Sequence, residues 1–235
     1  MIKRHSEEEC EFGAFGEYSH VEGNETTASG ESSHAEGCNT EALGEYSHSE
    51  GSFTSASGDS SHAEGCGTRA SGVYSHAEGD NTTASGKSSH AEGYYTEASG
   101  LFSHVEGNET TASGESSHAE GCGTEALGNF GSHAEGYHTV ASGECSHVQG
   151  CYNIEDTNNR YAHIVGNGTD EDNRSNAHTM DWDGNVWYAG NIYLGGKSQD
   201  EPKTDILSLL KEIEQLKKSV EDLTKLVQQL QNSKD

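Results

Sequence analysis

The segment "ASGESSHAEGCNTE", residues 28–41, is one unit of the repeat that decides the fold. Its histidine recurs every 14 residues and its glycine every seven, so each unit has two halves. One extra residue at 129–131 shifts the phase once, and the repeat then resumes. The glycines run from Gly16, Gly23, Gly30 and Gly37 to Gly128, and continue at Gly136, Gly143 and Gly150. Such a short period predicts a solenoid, because a single unit cannot bury a core alone.

Each seven-residue half has room for a strand of about five residues and a two-residue turn, in which glycine supplies the backbone freedom. Two halves then form one flat coil, and stacked coils pair as parallel strands about 4.8 Å apart. We therefore predict an all-β solenoid of 14-residue coils over residues 10–151, after an N-terminal segment at 1–9.

Alternating side chains assign an inner face of small residues to each half. In the half that contains "SHAEG", the residue between His and Glu is Ala, Val or Ser, as at Ala35, Val105 and Ser49. In the other half, Thr26 and Ala28 begin a series of Thr and Ala at the same spacing. We predict that these residues fill the interior, which explains a hydrophobic content of only 30% without disorder.

The outer face differs between the two halves. Thr27 becomes Glu41, Ser55 and Arg69 in later units, which is typical of a solvent-exposed position. The outward His and Glu hardly change, and an aromatic residue precedes them in every second unit, alternating with serine. This invariance predicts that identical chains around a symmetry axis cover the face. The predicted interface ladder consists of His20, His34, His48, His62, His76, His90, His104, His118, His133 and His147, of Glu22, Glu36, Glu64, Glu78, Glu92, Glu106, Glu120 and Glu135, and of Tyr18, Tyr46, Tyr74, Phe102 and Phe130.

A metal site is one interpretation of the repeated His and Glu, because imidazole suits zinc, copper or nickel. The other is a packed ladder of hydrogen bonds within or between chains, which we favour because ten successive metal sites are not expected. No pair of catalytic carboxylates stands out, since every glutamate is a copy of one position. The sequence therefore predicts no enzyme activity, no cofactor and no metal. Whether the histidines sense pH near their usual pKa of about 6.5 stays open.

After Cys151 the sequence predicts a small β-rich cap, assigned to 152–200, and a coiled coil at 201–235. "YAHIV" at 161–165 and "NVWYAGNIYLG" at 185–195 have strand composition, and Asp183–Gly184 is a favourable hairpin turn. Pro202 and Thr204 are expected to open the helix. The heptad core positions are Ile206, Leu209, Ile213, Leu216, Val220, Leu223, Val227 and Leu230. These positions favour a dimer, but Leu210 and Leu226 widen the seam, so the pattern allows two or three chains.

The formal net charge of −27 disfavours nucleic acid and anionic membranes as partners. No stretch has the apolar length of a membrane helix, and the start "MIKRHSEEEC" lacks the apolar run of a secretory signal. We therefore predict no membrane insertion and folding in a cytoplasm. In that reducing compartment, the six cysteines are expected to be free thiols.

The unit at 28–41, with the pattern "ASGxxSHAEGxxTx", resembles the repeat of the left-handed parallel β-roll heads of trimeric autotransporter adhesins. The "SHAEG" form resembles still more the repeats of phage and prophage tail-fibre proteins of Gram-positive hosts. The segment at 174–196 resembles the end of such tail proteins, before their terminal coiled coil.

This resemblance implies a left-handed coil, a parallel homotrimer and host-surface attachment by a virion tail or tail-like particle assembled in the host cytoplasm. The implied partners are other tail or baseplate proteins and a host cell-surface glycan or cell-wall polymer. The alternative function is a purely structural tail spacer or assembly component. A polysaccharide-degrading tailspike is a more distant alternative.

Overall fold

The computed structural model describes residues 12–190, 193–194 and 204–232. The chain divides into two compact units between Trp187 and Tyr188, and each unit is described by itself. The finer domain boundaries stay predictions.

The first unit consists largely of short strands that alternate between two residues and five residues in length. In chain order they are β1 (Gly13–Ala14), β2 (His20–Asn24), β3 (Thr27–Ala28), β4 (His34–Cys38), β5 (Glu41–Ala42), β6 (His48–Ser52), β7 (Ser55–Ala56), β8 (His62–Cys66), β9 (Arg69–Ala70), β10 (His76–Asp80), β11 (Thr83–Ala84), β12 (His90–Tyr94), β13 (Glu97–Ala98), β14 (His104–Asn108), β15 (Thr111–Ala112), β16 (His118–Cys122), β17 (Glu125–Ala126), β18 (His133–Tyr137), β19 (Val140–Ala141) and β20 (His147–Cys151).

Strands of equal length stack in register. In the long-strand sheet, β10 pairs in parallel with β8 and β12, so His76 lies between His62 and His90. In the short-strand sheet, β11 pairs in parallel with β9 and β13, so Thr83 lies between Arg69 and Glu97. The prediction of a β-solenoid with 14-residue coils is confirmed, and the stack has about 11 turns.

The half without histidine departs from the predicted five-residue strand, since its strand has only two residues. Its chain turns early over residues 29–33. Ser32 has a φ of 55°, and the buried Ser33 hydroxyl donates to the Gly30 carbonyl at 2.7 Å. This side-chain hydrogen bond closes the turn from inside and takes up residues that the prediction gave to the strand.

Two constraints explain the glycines, and only one is the flexibility that the sequence predicts. Gly79 in β10 has a φ of 110°, a conformation that favours glycine. Gly86 does not have a positive φ, but a Cβ there would lie 1.9 Å from the Gly100 carbonyl oxygen of the next coil. The second class of glycine is therefore required because adjacent coils approach closely.

The interior contains the small residues that the sequence predicts. Ala77 and Ala84 are fully buried on the two sheets, and Thr82 is fully buried beside them. Where Ser49 replaces alanine, its hydroxyl lies 2.7 Å from the Thr54 hydroxyl, so both buried groups are hydrogen-bonded. The largest side chains of this core are Val105, Val148 and Ile164.

The cap begins as a further coil of the solenoid. Strand β21 (Tyr161–Asn167) pairs in parallel with β20, with His163 opposite His147. No two-residue strand lies in residues 153–160, all of which are described. The buried Asn153 side chain replaces it, since Oδ1 accepts from the Val140 N–H at 2.7 Å and Nδ2 donates to the Val140 carbonyl at 3.0 Å.

An antiparallel hairpin completes the cap. Strand β22 (Asn176–Asp181) pairs with β21, and β23 (Val186–Tyr188) follows β22 in the sheet. The Asp181 carboxylate accepts from the backbone N–H groups of Asp183 and Asn185, at 3.0 and 2.8 Å. The predicted strand at 161–165 and the turn at 183–184 are confirmed. The predicted strand at 185–195 is not continuous, because within its described residues only 186–188 and 193–194 are strand, and β22 was not predicted.

In the part of the second unit that the structure describes, there is one short strand pair and one helix. Strand β24 (Tyr193–Leu194) pairs antiparallel with β25 (Thr204–Asp205), and α1 spans Ile206–Asn232. The prediction that Thr204 opens the helix is wrong, because it lies in β25 and the helix begins two residues later. Pro202 lies outside the described residues. All eight predicted heptad core positions lie within α1.

Candidate functional site: the His–Glu ladder

The His–Glu ladder is the outer face of the long-strand sheet from β2 to β20. Histidine is the first residue of each of these strands, and glutamate is the third in all but β20. Both side chains flank an inward residue, as His76 and Glu78 flank the buried Ala77. Because the strands pair in register, the structure brings the ten predicted histidines and eight predicted glutamates into two parallel columns.

The imidazole column is a continuous stack. From His34 to His147, neighbouring ring centroids lie 4.7–4.9 Å apart with planes 3–12° from parallel. The rings tilt at the two ends, where His20 lies 5.1 Å from His34 and His163 lies 5.2 Å from His147. The strand spacing thus sets the ring spacing.

The predicted set omitted three residues that join the ladder. Glu50 occupies the glutamate position of the "SHSEG" copy, and aligning "AHIVG" at 162–166 with "SHVQG" at 146–150 identifies His163. His178 lies 5.3 Å from the His163 ring, on the antiparallel strand β22. The repeat frame is enough to find the first two, but it contains no signal for His178.

The imidazole and carboxylate columns lie close together at distances longer than hydrogen bonds. Nε2 of His62 is 3.6 Å from Glu64 Oε2, and Nε2 of His76 is 3.7 Å from Glu78 Oε2. Among the described His–Glu pairs of the ladder within 4.0 Å, only His20–Glu22, at 3.1 Å, forms a hydrogen bond. The favoured hydrogen-bonded ladder within one chain is therefore not formed along most of the stack. Hydrogen bonds between chains stay a prediction.

The imidazole nitrogens that point at the carboxylates are buried even though the side chains are about one-third exposed. These Nε2 atoms have no hydrogen-bond partner. A buried Nε2 without a hydrogen-bond partner occurs in His34, His48, His62, His76, His90, His104, His118, His133 and His147. A buried polar atom without a partner is unfavourable, so its repetition on nine coils requires an explanation.

Partial burial and crowding also change the protonation of the ladder. Burial, followed by hydrogen bonding with Glu92 and Glu64, raises the pKa of Glu78 to about 7. Against the opposing effect of burial, hydrogen bonding with Glu78 lowers the pKa of Glu64. The Glu78 carboxyl is therefore partly protonated near neutral pH, beside a Glu64 carboxylate that stays ionised. Burial, and then the neighbouring imidazoles, lowers the pKa of His62, His90 and His118.

The carboxylate column lines an open groove of about 540 Å³. A glycine follows each glutamate, so no side chain fills the space beside the carboxylates. The lining residues are Glu92, Glu106, Gly107, Glu120, Gly121, Glu135, Gly136, Gln149 and Gly150. Every glutamate occupies the same position in its coil, so none is distinguished as a catalytic acid or base, and the absence of enzyme activity stays a prediction.

Five groups of ladder residues bring three potential ligand atoms, one from each side chain, within 4.8 Å of one another. Four groups contain two carboxylates and one imidazole, and the fifth contains two imidazoles and one carboxylate. They are Glu50–His62–Glu64, Glu64–His76–Glu78, Glu78–His90–Glu92, Glu92–His104–Glu106 and His118–Glu120–His133.

The predicted aromatic members lie outside the strands. Tyr18 and Phe102 occupy the turn before the long strand, with φ of 59° and 58°, and their side chains are 78% and 53% exposed. Strand alternation therefore does not assign their direction, although they occur on every second coil as predicted. The same conformation and exposure hold for Tyr46, Tyr74 and Phe130.

The fold and the ladder define the chain as a β-solenoid protein with a repeated imidazole and carboxylate face. No protein-family model and no curated protein matches the sequence. Within the described residues, no helix has the length and apolar character needed to span a membrane.

Proposed function

We propose that three copies of this chain form a parallel fibre of a phage tail or tail-like particle, and that the fibre attaches to the host surface. In this proposal the solenoid is left-handed, and the α1 helices of the three chains form a coiled coil. The particle is assembled in the host cytoplasm, where other tail or baseplate proteins bind the fibre. The resemblance of the repeat and of residues 174–196 to phage tail proteins supports this assignment.

The observation that carries the proposal is the exposed apolar stripe of α1. Leu216, Val220 and Leu223 are 64%, 62% and 61% exposed in a single chain. Their alternating three- and four-residue spacing is that of a coiled-coil seam, which other helices normally cover. Leu210 and Leu226 lie beside the seam and are also exposed, which favours three helices over two because each helix then has more apolar surface to cover.

The long-strand sheet supports the same assembly. Its outer residues stay nearly constant through the chain, whereas solvent-exposed positions of the other sheet drift. A face with buried, unpaired nitrogens is also a face that gains from a neighbouring surface. Attachment is the function favoured for such a fibre, because three copies of a weak site bind a repetitive glycan or cell-wall polymer by avidity.

The assembly is tested by measuring the mass of the full chain with light scattering after size-exclusion chromatography. A trimer has a mass of 3 × 25.0 = 75.0 kDa. Leu216→Asp with Leu223→Asp introduces two charges into the seam and is expected to give a monomer. The matched control, Gln215→Asp with Gln229→Asp, adds the same charge outside the seam and is expected to leave the trimer intact. A wild-type monomer at micromolar concentration would refute the trimer.

Attachment is tested by co-sedimentation of the purified fibre with Gram-positive cells and with their isolated cell-wall polymers. The wild type and the Gln215→Asp/Gln229→Asp control are expected to bind at least about 10-fold more tightly than the seam variant, because the seam variant lacks avidity. Binding to no cell or polymer would reject attachment in favour of a structural spacer. Release of sugar from the polymer would instead favour a tailspike enzyme.

A further inference from the structure

We propose that the His–Glu ladder is a row of binding sites for divalent transition-metal ions of the zinc class, each built within one chain by adjacent coils. The sites are the five His and Glu groups defined above. This inference does not rest on the proposed fibre function, because every ligand of a site comes from the same chain. It departs from the sequence prediction of no metal, which was made because ten successive metal sites are not expected.

The first argument is distance. Two ligands bound at about 2.0–2.2 Å to a tetrahedral ion lie roughly 3.4 Å apart, and a modest opening of the ligand angle increases this distance. Nε2 and the carboxylate oxygen are 3.6 Å apart in His62–Glu64 and 3.7 Å apart in His76–Glu78. These separations are too long for a hydrogen bond and close to those of two ligands on one ion.

The second argument is the unsatisfied nitrogen. Each of the five groups contributes at least one imidazole Nε2 that is buried, without a hydrogen-bond partner and near carboxylate oxygens. A neutral imidazole binds a metal through such a nitrogen lone pair. The ion would occupy the position toward which the nitrogen and the carboxylates converge. These Nε2 atoms have no hydrogen-bond partner within the chain, and a buried polar atom without a partner is unfavourable. A bound metal ion would give each of them a partner.

The third argument is charge. When both of its glutamates are ionised, a group with two glutamates balances the charge of one divalent ion, and an ion relieves the repulsion between carboxylates on adjacent coils. Imidazole together with carboxylate favours zinc, nickel or copper over magnesium and calcium, which prefer sites made of oxygen alone. The carboxylates of Glu92, Glu106 and Glu120 border the open groove, so an ion reaches the groups that contain them directly from solvent.

The shared ligands limit how many sites fill at once. Glu64, Glu78 and Glu92 each belong to two consecutive groups. Three of the five groups have no residue in common: Glu50–His62–Glu64, Glu78–His90–Glu92 and His118–Glu120–His133. The ladder therefore takes up to three ions per chain without sharing a ligand between ions.

A matched pair of triple variants tests the proposal in the full chain. Glu64→Gln, Glu92→Gln and Glu120→Gln together remove one carboxylate from every group while keeping side-chain size. The control, Glu41→Gln, Glu97→Gln and Glu125→Gln, removes the same charge from exposed positions of the short-strand sheet. Equilibrium dialysis against Zn²⁺, followed by metal analysis, gives the number of ions per chain, and a parallel dialysis against Mg²⁺ measures non-specific binding to the acidic surface.

The wild type and the control are expected to bind up to three Zn²⁺ per chain with at least 10-fold preference over Mg²⁺, and the ladder variant is expected to lose at least 10-fold in affinity. Equal Zn²⁺ binding by the two variants, or no preference over Mg²⁺, would overturn the proposal. Circular dichroism checks the fold of each variant. If the ladder variant does not fold, the Co²⁺ spectrum of the wild type decides: bands of tetrahedral nitrogen and oxygen ligation support the ladder, and sulfur-to-cobalt charge transfer assigns the metal to cysteines instead.

Discussion

The two sheets of the solenoid share one interior but differ on their outer faces. Inside, Ala77 of the long-strand sheet and Ala84 of the short-strand sheet are equally buried. Outside, the short-strand sheet carries Thr83 between Arg69 and Glu97, whereas the long-strand sheet repeats His and Glu on successive coils. Stacking coils therefore restricts the inner residues of both sheets but not the outer ones. The constant His–Glu ladder requires a further cause, such as a bound ion or a second chain.

The largest expected effect tests the close approach of adjacent coils, which both sheets share. Gly79→Ala and Gly86→Ala are each expected to destabilise the fold by at least about 3 kcal/mol, because the added Cβ would lie 2.2 Å from the Gly93 carbonyl oxygen and 1.9 Å from the Gly100 carbonyl oxygen. Chemical unfolding midpoints of the full chain measure the loss. Gly190→Ala is the control, since no atom lies within 4 Å of its added Cβ.

A loss of stability in only one of these two glycine variants would contradict this shared constraint. In that case, close approach of neighbouring coils would limit only one sheet, and the two classes of glycine would not be equivalent in stability.

Substitutions on the two outer faces are expected to have smaller effects on stability, and these effects are expected to differ between the faces. His76→Ala removes a ring that stacks at 4.8 Å on both neighbours, and it is expected to cost about 1 kcal/mol of unfolding free energy. Glu97→Ala, on the exposed face of the other sheet, is expected to change stability by less than about 0.5 kcal/mol. Both are measured by denaturant unfolding with a chelator present, so that metal does not contribute. Similar values for the two variants would show that the imidazole stack does not stabilise the solenoid.

The last expected effect is no larger than that of His76→Ala, and it depends on pH and on a single carboxyl group. Folding raises the pKa of Glu78 from 4.5 to about 7, so its ionisation destabilises the fold as pH rises through this interval. Glu78→Gln cannot ionise and is expected to be more stable than the wild type at pH 8, by on the order of 1 kcal/mol after solvent screening. Below pH 4.5 the difference is expected to vanish. Thermal unfolding across this range, with a chelator present, measures it.

The imidazoles act in the opposite direction, because folding lowers the pKa of His62 and His90 and acid below about pH 6.5 then destabilises the fold. Both proteins keep these imidazoles, so their effect largely cancels in the difference. Glu97→Gln serves as the control on the other sheet. A Glu78→Gln advantage that is equal at pH 4.5 and pH 8 would rule out ionisation of Glu78 as its cause.

Much of the solenoid could be predicted from the sequence because period and side-chain size are local properties. The 14-residue spacing gives the coil, and the series that begins with Thr26 and Ala28 gives the inner face. The two-residue strands could not be predicted, because the turn that shortens them depends on the Ser33 hydroxyl reaching a carbonyl oxygen. The requirement for Gly86 could not be predicted either, since it comes from contact with the next coil.

The candidate site, too, could be predicted from the sequence only in part. Its members could be predicted, because His and Glu keep their frame in every coil. Their chemistry could not, because a repeat pattern does not show that His62 Nε2 stops 3.6 Å from Glu64 and remains buried. The aromatic positions also needed the backbone, since Tyr18 lies at a positive φ where strand alternation does not apply.

The one-residue insertion at 129–131 shows where a coil can be lengthened. Gly131 adopts a φ of 89°, an added Cβ there would meet only the Ser116 carbonyl oxygen, at 3.9 Å, and Asn129 and Phe130 beside it are exposed. The strands on either side keep their pairing, with His118 opposite His133. The turn before the long strand is therefore a place where the chain accepts added sequence without losing register. A foreign peptide placed there on several coils would be displayed as a regularly spaced array.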